Sequence, residues 1–343
     1  LLPDRPDFIQ VLDRVGRVGA ILPKPKSVHG PTLAWAQQHY PVLPLNRHWT
    51  SDPEGVIAQI APLVEPHERL IILDIGGYFA KNQAILAEHF GARFLGVVEM
   101  TENGHQRYEQ EVLAAPVISV ARSPLKQAED IQIGLSVVYS AESLARTLRR
   151  TFNVCQAALF GYGKVGRSIA RELRCRNLHL ELVETDALRQ VEALSHGFKL
   201  VNKAEALGRA ELVICCTGNG SLDIADLQAL RPGAMLASVT SADDEFAFCL
   251  SQLPWPSEEV CPHVLALTRP DGSTIFLLNR GEAVNFVHGA VIGEYVYLVL
   301  AEIIEGVHQL AGQAPAAGLL ELPQATMQRI ARHWLADFHG VVQ

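Results

Sequence analysis

Short apolar runs alternate along the chain with segments whose apolar residues recur at helical spacing. In the first third of the chain, the runs at residues 18–22, 41–45, 70–74, 93–99 and 116–120 have the length of strands. Helical spacing occupies residues 31–39, 53–63 and 79–90 between them. Strands that alternate with helices predict a parallel sheet with both faces covered, because each parallel connection needs a crossover. The pattern therefore predicts the α/β class.

The same alternation resumes after a long polar-apolar segment. Residues 123–152 have the spacing of one long helix, whole or broken, that links two domains, and residues 322–338 predict a last amphipathic helix. A length of 343 residues also favours two domains. We predict a substrate-binding domain at residues 1–135, a cofactor-binding domain at 136–286, and C-terminal helices at 287–343 that return to the first domain.

The stretch from Ala157 to Glu184 predicts a strand, a glycine turn, a helix and a second strand. Gly161 suits a tight turn, Gly163 lets the backbone approach a pyrophosphate, and Gly166 lets the helix pack closely on the strand. Glu184 ends the second strand, where an acid binds a ribose 2′-hydroxyl and repels the 2′-phosphate of NADP. NAD is therefore the predicted cofactor. A glycine-rich turn that binds nothing is the alternative.

Two later strands are predicted to end at the same edge of this sheet, one before Thr217 and one at Val239. Ligands of doubly wound sheets bind at the carboxyl ends of the strands. The predicted cofactor contacts at these ends are Gly161, Gly163, Lys164, Val165, Gly166, Glu184, Thr217, Gly218, Asn219, Val239 and Thr240. Ordinary connecting loops are the alternative for the last five.

Composition and charge exclude several classes of function. The chain is 48% hydrophobic and 19% charged, as in globular proteins. Its net charge of −8 argues against a nucleic-acid or anionic-membrane partner. Residues 284–300 are apolar but contain Asn285, His288 and Glu294, which predicts a buried helix and no membrane span. Residues 1–10 lack the pattern of a secretory leader, so we expect none there.

The cysteines have neither CxxC nor Cys/His ligand spacing. They are Cys155, Cys175, Cys215, Cys216, Cys249 and Cys261. We expect reduced thiols in a cytoplasmic protein and no metal site.

Several motifs in order resemble the S-adenosylhomocysteine hydrolase family. They are GYGKVGRSIA at 161–170, ETD at 184–186, CTGN at 216–219, LLNRGEAVN at 277–285, and, upstream, LDIGG at 73–77, VEMTENGHQRY at 98–108 and PVISVARSPLKQAED at 116–130. Many dinucleotide-binding proteins share the first four of these motifs. The combination with the upstream motifs is specific to this family, and the resemblance covers about residues 70–301.

The resemblance implies two Rossmann-like domains of the formate/glycerate dehydrogenase-like fold, with doubly wound parallel sheets. It also implies tightly bound NAD, a homo-oligomer, and a nucleoside or nucleoside thioether as substrate. In this family NAD oxidises the ribose 3′-carbon, a base then removes the acidified 4′-proton, the 5′-thioether bond breaks, water adds, and the ketone is reduced again.

The resemblance also assigns roles to single residues. Lys126 and Asp130 match the family's Lys-x-x-x-Asp, which handles the 3′-hydroxyl proton, and their i,i+4 spacing places them on one helix face. Glu99 matches the substrate-site glutamate, His105 a family histidine, and Asn285 the asparagine near the nicotinamide. A surface ion pair for the first two, and core residues for Glu99 and His105, are the alternatives.

This sequence departs from the family at other polar positions. The family's second aspartate before the paired glycines is replaced here, as are an asparagine, a cysteine and two histidines; the residues found are Ile75, Ile131, Leu135, Ser241 and Ile292. The groups retained serve cofactor binding and hydroxyl oxidation, whereas the groups lost serve elimination, water addition and purine recognition. The pattern predicts another substrate or a shorter reaction.

Two alternative functions stay open. One is a 2-hydroxyacid-type dehydrogenase, although Arg269, Asp271 and His288 do not make a convincing catalytic set. The other is a catalytically silent NAD or nucleoside sensor, which the lost acid/base residues favour.

Overall fold

A computed structural model of the chain describes residues 1–3, 5–24, 28–240, 245–246, 253–313 and 315–341. The fold is α/β with parallel sheets, as predicted, and it divides into two compact units. The first unit is Leu1–Glu129 with Gly293–Gln343, and the second is Asp130–Ile292. The units therefore divide after residues 129 and 292. The sequence predicted divisions after residues 135 and 286.

The first unit contains a four-stranded parallel sheet in the order β1-β2-β3-β12. Its strands are β1 Leu70–Asp74, β2 Phe94–Glu99, β3 Pro116–Ser119 and β12 Gly318–Leu320. Its helices are α1 Arg5–Val15, α2 Gly30–His39, α3 Arg47–Thr50, α4 Pro53–Ile60, α5 Gln83–Phe90, α6 Glu102–Glu109, α12 Val296–Gln313 and α13 Gln324–His339, with short 3₁₀ helices at Ala61–Leu63, Ala80–Asn82, Gly91–Arg93 and Gly293–Tyr295. Helix α7, Pro124–Thr147, contains the division between the units.

The second unit contains an eight-stranded sheet in the order β6-β5-β4-β7-β8-β11-β10-β9. Its strands are β4 Gln156–Phe160, β5 His179–Val183, β6 Lys199–Leu200, β7 Leu212–Cys215, β8 Met235–Ser238, β9 Ser257–Cys261, β10 Val264–Thr268 and β11 Thr274–Leu278. Its further helices are α8 Lys164–Cys175, α9 Ala187–Ser195, α10 Lys203–Arg209 and α11 Ile224–Ala229, with 3₁₀ helices at Asn279–Gly281 and Val284–His288.

The strand order places β4 where the direction of winding reverses. Strands β5 and β6 extend the sheet on one side of β4, and β7 and β8 extend it on the other, all parallel. Such a reversal leaves a crevice at the carboxyl end of the central strand. Strands β10 and β9 form an added edge beside β11, and β10 runs antiparallel to both of its neighbours. The predicted doubly wound sheet is therefore parallel in its ligand-binding half.

Burial explains why these runs form strands. Strands β3, β7 and β8 are buried at every residue, as continuous apolar runs between two helical layers should be. Helix starts are set by side-chain caps, since Asp186 Oδ1 accepts from two first-turn N–H groups of α9 and Asn202 Oδ1 accepts from Glu205 N in α10. Asp223 and Asp226 form a capping box at α11.

Two expectations from sequence are wrong. Residues 18–22 form only one bridge, Ile21 to Val42, because Pro41 and Pro44 flank the partner and lack the N–H groups that a ladder needs. Residues 284–300 are not one helix. Gly289 and Gly293 adopt φ of +71° and +64°, which ends helical structure, so α12 begins at Val296. Strand β12, which pairs with β3, was not predicted, because a run of three residues is too short to recognise from sequence.

No helix among the described residues has the length and hydropathy to cross a membrane.

Candidate functional site

The glycine turn after β4 has the conformation that the sequence predicts. Gly161 adopts φ of +96°, and a Cβ there would lie 3.1 Å from the carbonyl oxygen of Cys216. A Cβ on Gly166 would overlap the carbonyl oxygen of Gly161, so α8 sits against the turn at a distance that only glycine allows. Helix α8 begins at Lys164, and its positive end therefore faces the turn. This conformation fits a pyrophosphate.

Glu184 ties the end of β5 to this turn. Its Oε2 accepts a hydrogen bond from Tyr162 N at 2.6 Å, and its Oε1 accepts from Thr185 N at 2.7 Å and Asp186 N at 2.9 Å. The three backbone donors fix the carboxylate beside the glycine turn. It is partly exposed, so a ribose hydroxyl can still approach it.

A buried glutamate that sequence reasoning missed holds the loops after β7 and β8. Glu245 is fully buried, and its Oε1 accepts from Thr217 N at 3.1 Å and Thr217 Oγ1 at 2.8 Å. Its Oε2 accepts from Gly218 N at 2.8 Å and Thr240 Oγ1 at 2.9 Å. One carboxylate thus joins the two loops that carry predicted cofactor contacts. Asn219 is exposed and Val239 partly buried beside them.

Asn285 supplies a polar atom that lacks a partner. The residue is 5% exposed, and its Oδ1 has no hydrogen-bond partner among the described residues. Leaving a buried acceptor unmet costs about 1–3 kcal/mol. The amide of a nicotinamide is a donor that would satisfy this oxygen. Together with the glycine cradle, Asn285 therefore fits NAD.

In the first unit, two buried carboxylates hold the loop after β1. Glu99 accepts from Gly76 N, Gly77 N and Thr101 N, at 3.2, 2.9 and 2.6 Å, and also from Met100 N and Thr101 Oγ1. Asp74 accepts from Tyr78 N, Phe79 N and Tyr108 Oη. Burial, and next the Asp74 carboxylate, raise the pKa of Glu99, while these donors act in the opposite direction. Glu99 is thus a structural centre of the predicted substrate loops.

His105 is also enclosed by the first unit. It is 4% exposed, its Nδ1 lies 2.8 Å from Ser119 Oγ, and its Nε2 lies 3.2 Å from Glu109 Oε1. Both ring nitrogens therefore have protein partners. The geometry matches the core-residue alternative for His105.

Lys126 belongs to a buried polar cluster. Its Nζ donates to Glu129, three residues further along the helix. The sequence analysis had paired Lys126 with Asp130, four residues further along. Ser123 Oγ accepts from Lys126 N at 3.0 Å and donates to Glu302 Oε2 at 2.8 Å. All four residues are at most 8% exposed, and so is Asp130. Sequence reasoning found Lys126 but missed Glu129 and Glu302.

Glu302 is the least satisfied member of this cluster. It is fully buried on α12, and its Oε1 has no hydrogen-bond partner in the described part of the chain. Burial raises the pKa of Glu302 to about 7, against the effects of Ser123 and Lys126. A carboxyl group with a raised pKa therefore lies in the same polar cluster as Lys126.

Comparison with known proteins identifies the domain that contains the glycine turn. Residues 137–291 match the family model described as S-adenosyl-L-homocysteine hydrolase, NAD binding domain. The adenosylhomocysteinase of Thermotoga maritima is 30% identical over 228 residues, which cover 64% of this chain and 55% of that protein. Residues 137–291 thus contain the NAD-binding domain of the S-adenosylhomocysteine hydrolase family. The S-inosyl-L-homocysteine hydrolase of Methanopyrus kandleri is 26% identical over 300 residues, which cover 82% of this chain and 69% of that protein.

The family assignment fixes the cofactor. The matched segment contains the glycine turn, Glu184, the loops after β7 and β8, and Asn285, so NAD is the cofactor of this domain. The chain spans only about half the length of the Thermotoga relative, since 55% of that protein is covered.

Solved structures that match this chain have lower sequence identity than the two relatives above. A phosphoglycerate oxidoreductase from Vibrio cholerae has a TM-score of 0.46 at 16% identity and covers 80% of this chain and 92% of that one. A D-isomer specific 2-hydroxyacid dehydrogenase from Polaromonas has a TM-score of 0.45 at 13% identity, covering 82% and 93%. Both TM-scores are below 0.5, and the assignment of the NAD-binding domain rests on the sequence match alone.

Three of the five positions at which the sequence departs from the pattern of the S-adenosylhomocysteine hydrolase family are exposed. Ile75, Ile131 and Leu135 are 44%, 47% and 37% exposed, although apolar side chains usually avoid water. Ile292 is partly buried, and Ser241 lies outside the described residues, as does Cys249. Exposed apolar side chains thus occupy three positions at which the resemblance implies polar ones.

The catalytic set of a 2-hydroxyacid dehydrogenase does not form here. Arg269 is buried and donates to Ser273 Oγ and to the carbonyl oxygens of Gln228 and Leu230, so it holds a turn in place. Asp271 accepts from Ser273 in the same turn. His288 Nδ1 lies 3.0 Å from Ser140 Oγ.

The cysteines do not provide a reactive thiol at the cofactor turn. Cys216 Sγ donates to the carbonyl oxygens of Phe160 and Gly161 at 3.2 Å, and burial raises its pKa well above the ordinary value, as it does for Cys215. The five cysteines in the described ranges are unbonded to each other, and those ranges contain no metal-binding group of His, Cys, Asp or Glu.

Proposed function

We propose that this protein is an NAD-dependent enzyme that oxidises a ribose hydroxyl of a nucleoside or nucleoside thioether. Its relatives are named adenosylhomocysteinase and S-inosyl-L-homocysteine hydrolase, which both name nucleoside thioethers. The observation that carries the proposal is the buried Lys126–Glu129 pair. The pair lies on helix α7, and the match to the NAD-binding domain model begins at residue 137 of the same helix.

The proposed mechanism assigns the proton steps to this cluster. Bound NAD supplies two-electron oxidation of a carbon that carries a hydroxyl group. Lys126 Nζ takes the hydroxyl proton as that carbon becomes a ketone, and Asp130 assists on the same helix. Glu129 exchanges the proton with Lys126 through their hydrogen bond, while Ser123 orients the start of α7 by accepting from Lys126 N. Reduction of the ketone at the end of the cycle reverses these transfers.

The apolar replacements support a shorter reaction than full hydrolysis. Elimination at the 5′-carbon and addition of water both need polar groups, and Ile75, Ile131 and Leu135 cannot transfer protons. We therefore propose hydroxyl oxidation as the core activity, with hydrolysis as an additional outcome to be measured. We also propose a homo-oligomer, to be checked by light scattering after gel filtration.

The deciding experiment uses the full chain loaded with NAD. S-adenosylhomocysteine and S-inosylhomocysteine are incubated with it, absorbance at 340 nm follows reduction of the cofactor, and mass spectrometry follows 3′-keto nucleoside, free nucleoside and homocysteine. Transient 340 nm absorbance with a keto product supports the proposal, and homocysteine release extends it to hydrolysis. NAD-loaded protein that yields neither absorbance change nor product contradicts it and leaves a silent NAD-binding protein.

Glu302→Gln should change how stability depends on pH. The pKa of Glu302 is raised from 4.5 to about 7, so the folded state binds its proton more tightly than the unfolded state does. The stability that this provides is fully present below pH 4.5 and is lost as pH rises through 7. Glutamine keeps the neutral form at all pH values. The variant should match the wild type near pH 4.5 and exceed it by roughly 3 kcal/mol at pH 8.

Chemical denaturation of both proteins from pH 4.5 to 8 measures this difference. Glu305→Gln is the matched control, because it lies on the same helix and pairs with Arg329 at a more exposed position. Parallel stability curves for wild type and Glu302→Gln would show that Glu302 does not titrate in this range.

Glu184→Gln should weaken the preference for NAD over NADP. Glutamine keeps one oxygen for Tyr162 N but removes the negative charge that repels a 2′-phosphate. The ratio of NADP to NAD affinity should rise about tenfold, which corresponds to 1.4 kcal/mol. Calorimetric titration of both dinucleotides measures it. Glu211→Gln is the control, since Glu211 contacts Gln156 at the opposite end of β4, and an unchanged ratio in Glu184→Gln would remove Glu184 from the site.

A further inference from the structure

One side chain lies between the first two glycines of the turn after β4, and it is fully buried. This residue, Tyr162, packs the edge of its ring against Phe198, with 5.6 Å between the ring centroids. Its hydroxyl oxygen lies 2.9 Å from Nδ1 of His196, the residue that follows α9. Its backbone N–H donates to Glu184. Tyr162 is therefore held at the backbone and at the tip of its side chain.

We propose that His196 is a positioning residue for NAD, which holds the glycine turn in the conformation that fits a pyrophosphate through its hydrogen bond to Tyr162. The inference concerns binding of the cofactor. It goes beyond the proposed function, because it holds for any substrate that the bound NAD oxidises.

The turn needs an anchor outside itself. Gly161 adopts φ of +96°, and glycine has more backbone freedom than any other residue. Gly163 is the N-cap of α8, and it has no side chain that could cap the first turn of the helix. Tyr162 is therefore the side chain through which the protein can fix this turn before NAD arrives. A turn fixed in advance loses less conformational entropy when the ligand binds.

His196 is itself held by the two helices on either side of it. Its N–H donates to the carbonyl oxygen of Glu192 in α9 at 3.0 Å, and its own carbonyl oxygen accepts from Arg174 Nη1, in the last turn of α8, at 2.8 Å. The Arg174 guanidinium also lies 4.4 Å from the centre of the Phe198 ring. Residues 196–198 thus contact the end of α8 through Arg174 and the turn before α8 through Tyr162.

The phenol is the donor in the hydrogen bond between the two side chains. Burial, and next the charge of Glu192, raise the pKa of Tyr162, while arginines of α8 act in the opposite direction. Tyr162 therefore keeps its proton at neutral pH, and the bond needs an acceptor where Nδ1 of His196 lies. Asparagine at this position offers its Oδ1 as an acceptor at the same distance along the side chain, whereas leucine places a methyl group there.

The experiment measures NAD affinity and folding stability separately, on the full chain freed of nucleotide. Calorimetric titration gives the dissociation constant of NAD, and chemical denaturation without NAD gives the free energy of unfolding. His196→Leu, Tyr162→Phe and the double variant remove the hydrogen bond, and His196→Asn restores an acceptor. His179→Leu is the matched control, because His179 is an exposed histidine of the same unit at the start of β5, the opposite end of that strand from Glu184.

We expect His196→Leu and Tyr162→Phe each to weaken NAD binding about tenfold. The double variant should lose no more than either single variant, because all three lack the same bond. His196→Asn should bind NAD within about threefold of the wild type, and His179→Leu should match the wild type.

Three results overturn the positioning role. The first is wild-type NAD affinity in His196→Leu and Tyr162→Phe, including the case in which only the free energy of unfolding falls. The second is a double variant whose loss equals the two single losses combined. The third is His196→Asn that binds NAD as weakly as His196→Leu. If His196→Leu does not fold, Tyr162→Phe decides, and unchanged NAD affinity in that variant overturns the proposal.

Discussion

Gly166→Ala is expected to abolish NAD binding by the full chain. A Cβ at this position would overlap the carbonyl oxygen of Gly161 and lie 3.1 Å from Cys216 Sγ, and neither atom can move without shifting the turn. Helix α8 would have to move away from β4, and its positive end would leave the phosphate position. NAD affinity should fall by at least about 100-fold, and overpacking should cost roughly 1–3 kcal/mol of unfolding free energy.

Calorimetric titration with NAD and thermal melting measure these effects. Gly208→Ala is the matched control, because Gly208 lies on α10 of the same unit with no atom within 4 Å of its Cβ position. Alanine there should leave NAD binding unchanged and add up to about 1 kcal/mol of stability. Wild-type NAD affinity in Gly166→Ala would refute the cradle at the glycine turn.

Lys126→Met should remove oxidation while NAD stays bound. Methionine fills a similar volume but cannot accept the hydroxyl proton, and general base catalysis contributes about 10²–10⁴-fold to such rates. Reduction of the cofactor at 340 nm, measured in a single turnover with a nucleoside thioether, should slow by that factor. The NAD content after purification should equal that of the wild type, because the predicted NAD contacts all lie in the second unit.

Lys81→Met controls for loss of a lysine in the same unit, since Lys81 is exposed on a 3₁₀ helix. The wild-type rate in Lys126→Met would exclude Lys126 as the base. A pH profile of the single-turnover rate adds a second readout, because loss of packing alone would not flatten it.

The sequence predicted the parts of the fold that depend on local pattern. The runs at β1, β2 and β3 are apolar without interruption, and the helical spacing before and after them is regular, so their class could be read directly. The start of α12 could not. Residues 284–295 are as apolar as a buried helix, and the positive φ of Gly289, Ala290 and Gly293 in the structure shows that they turn.

Some residues of the candidate site could likewise be predicted from local pattern, and others could not. The glycine turn and Glu184 follow from spacing, because a strand, a turn and a helix that are adjacent in sequence are adjacent in space. Glu245 and Glu302 act across 28 and 179 residues, on Thr217 and Ser123. No local pattern marks such a partner, and only the folded chain brings the carboxylates to these positions.

Glu99 and Glu245 have a shared consequence for ligand binding. Each is buried at the carboxyl edge of its own sheet and accepts hydrogen bonds from the backbone and a threonine of the loops there. The conformational entropy of these loops is therefore lost when the chain folds, and not when a ligand arrives. A ligand that binds at either sheet edge therefore meets a preorganised surface. Its selectivity depends on the shape and charge that the folded loops already have.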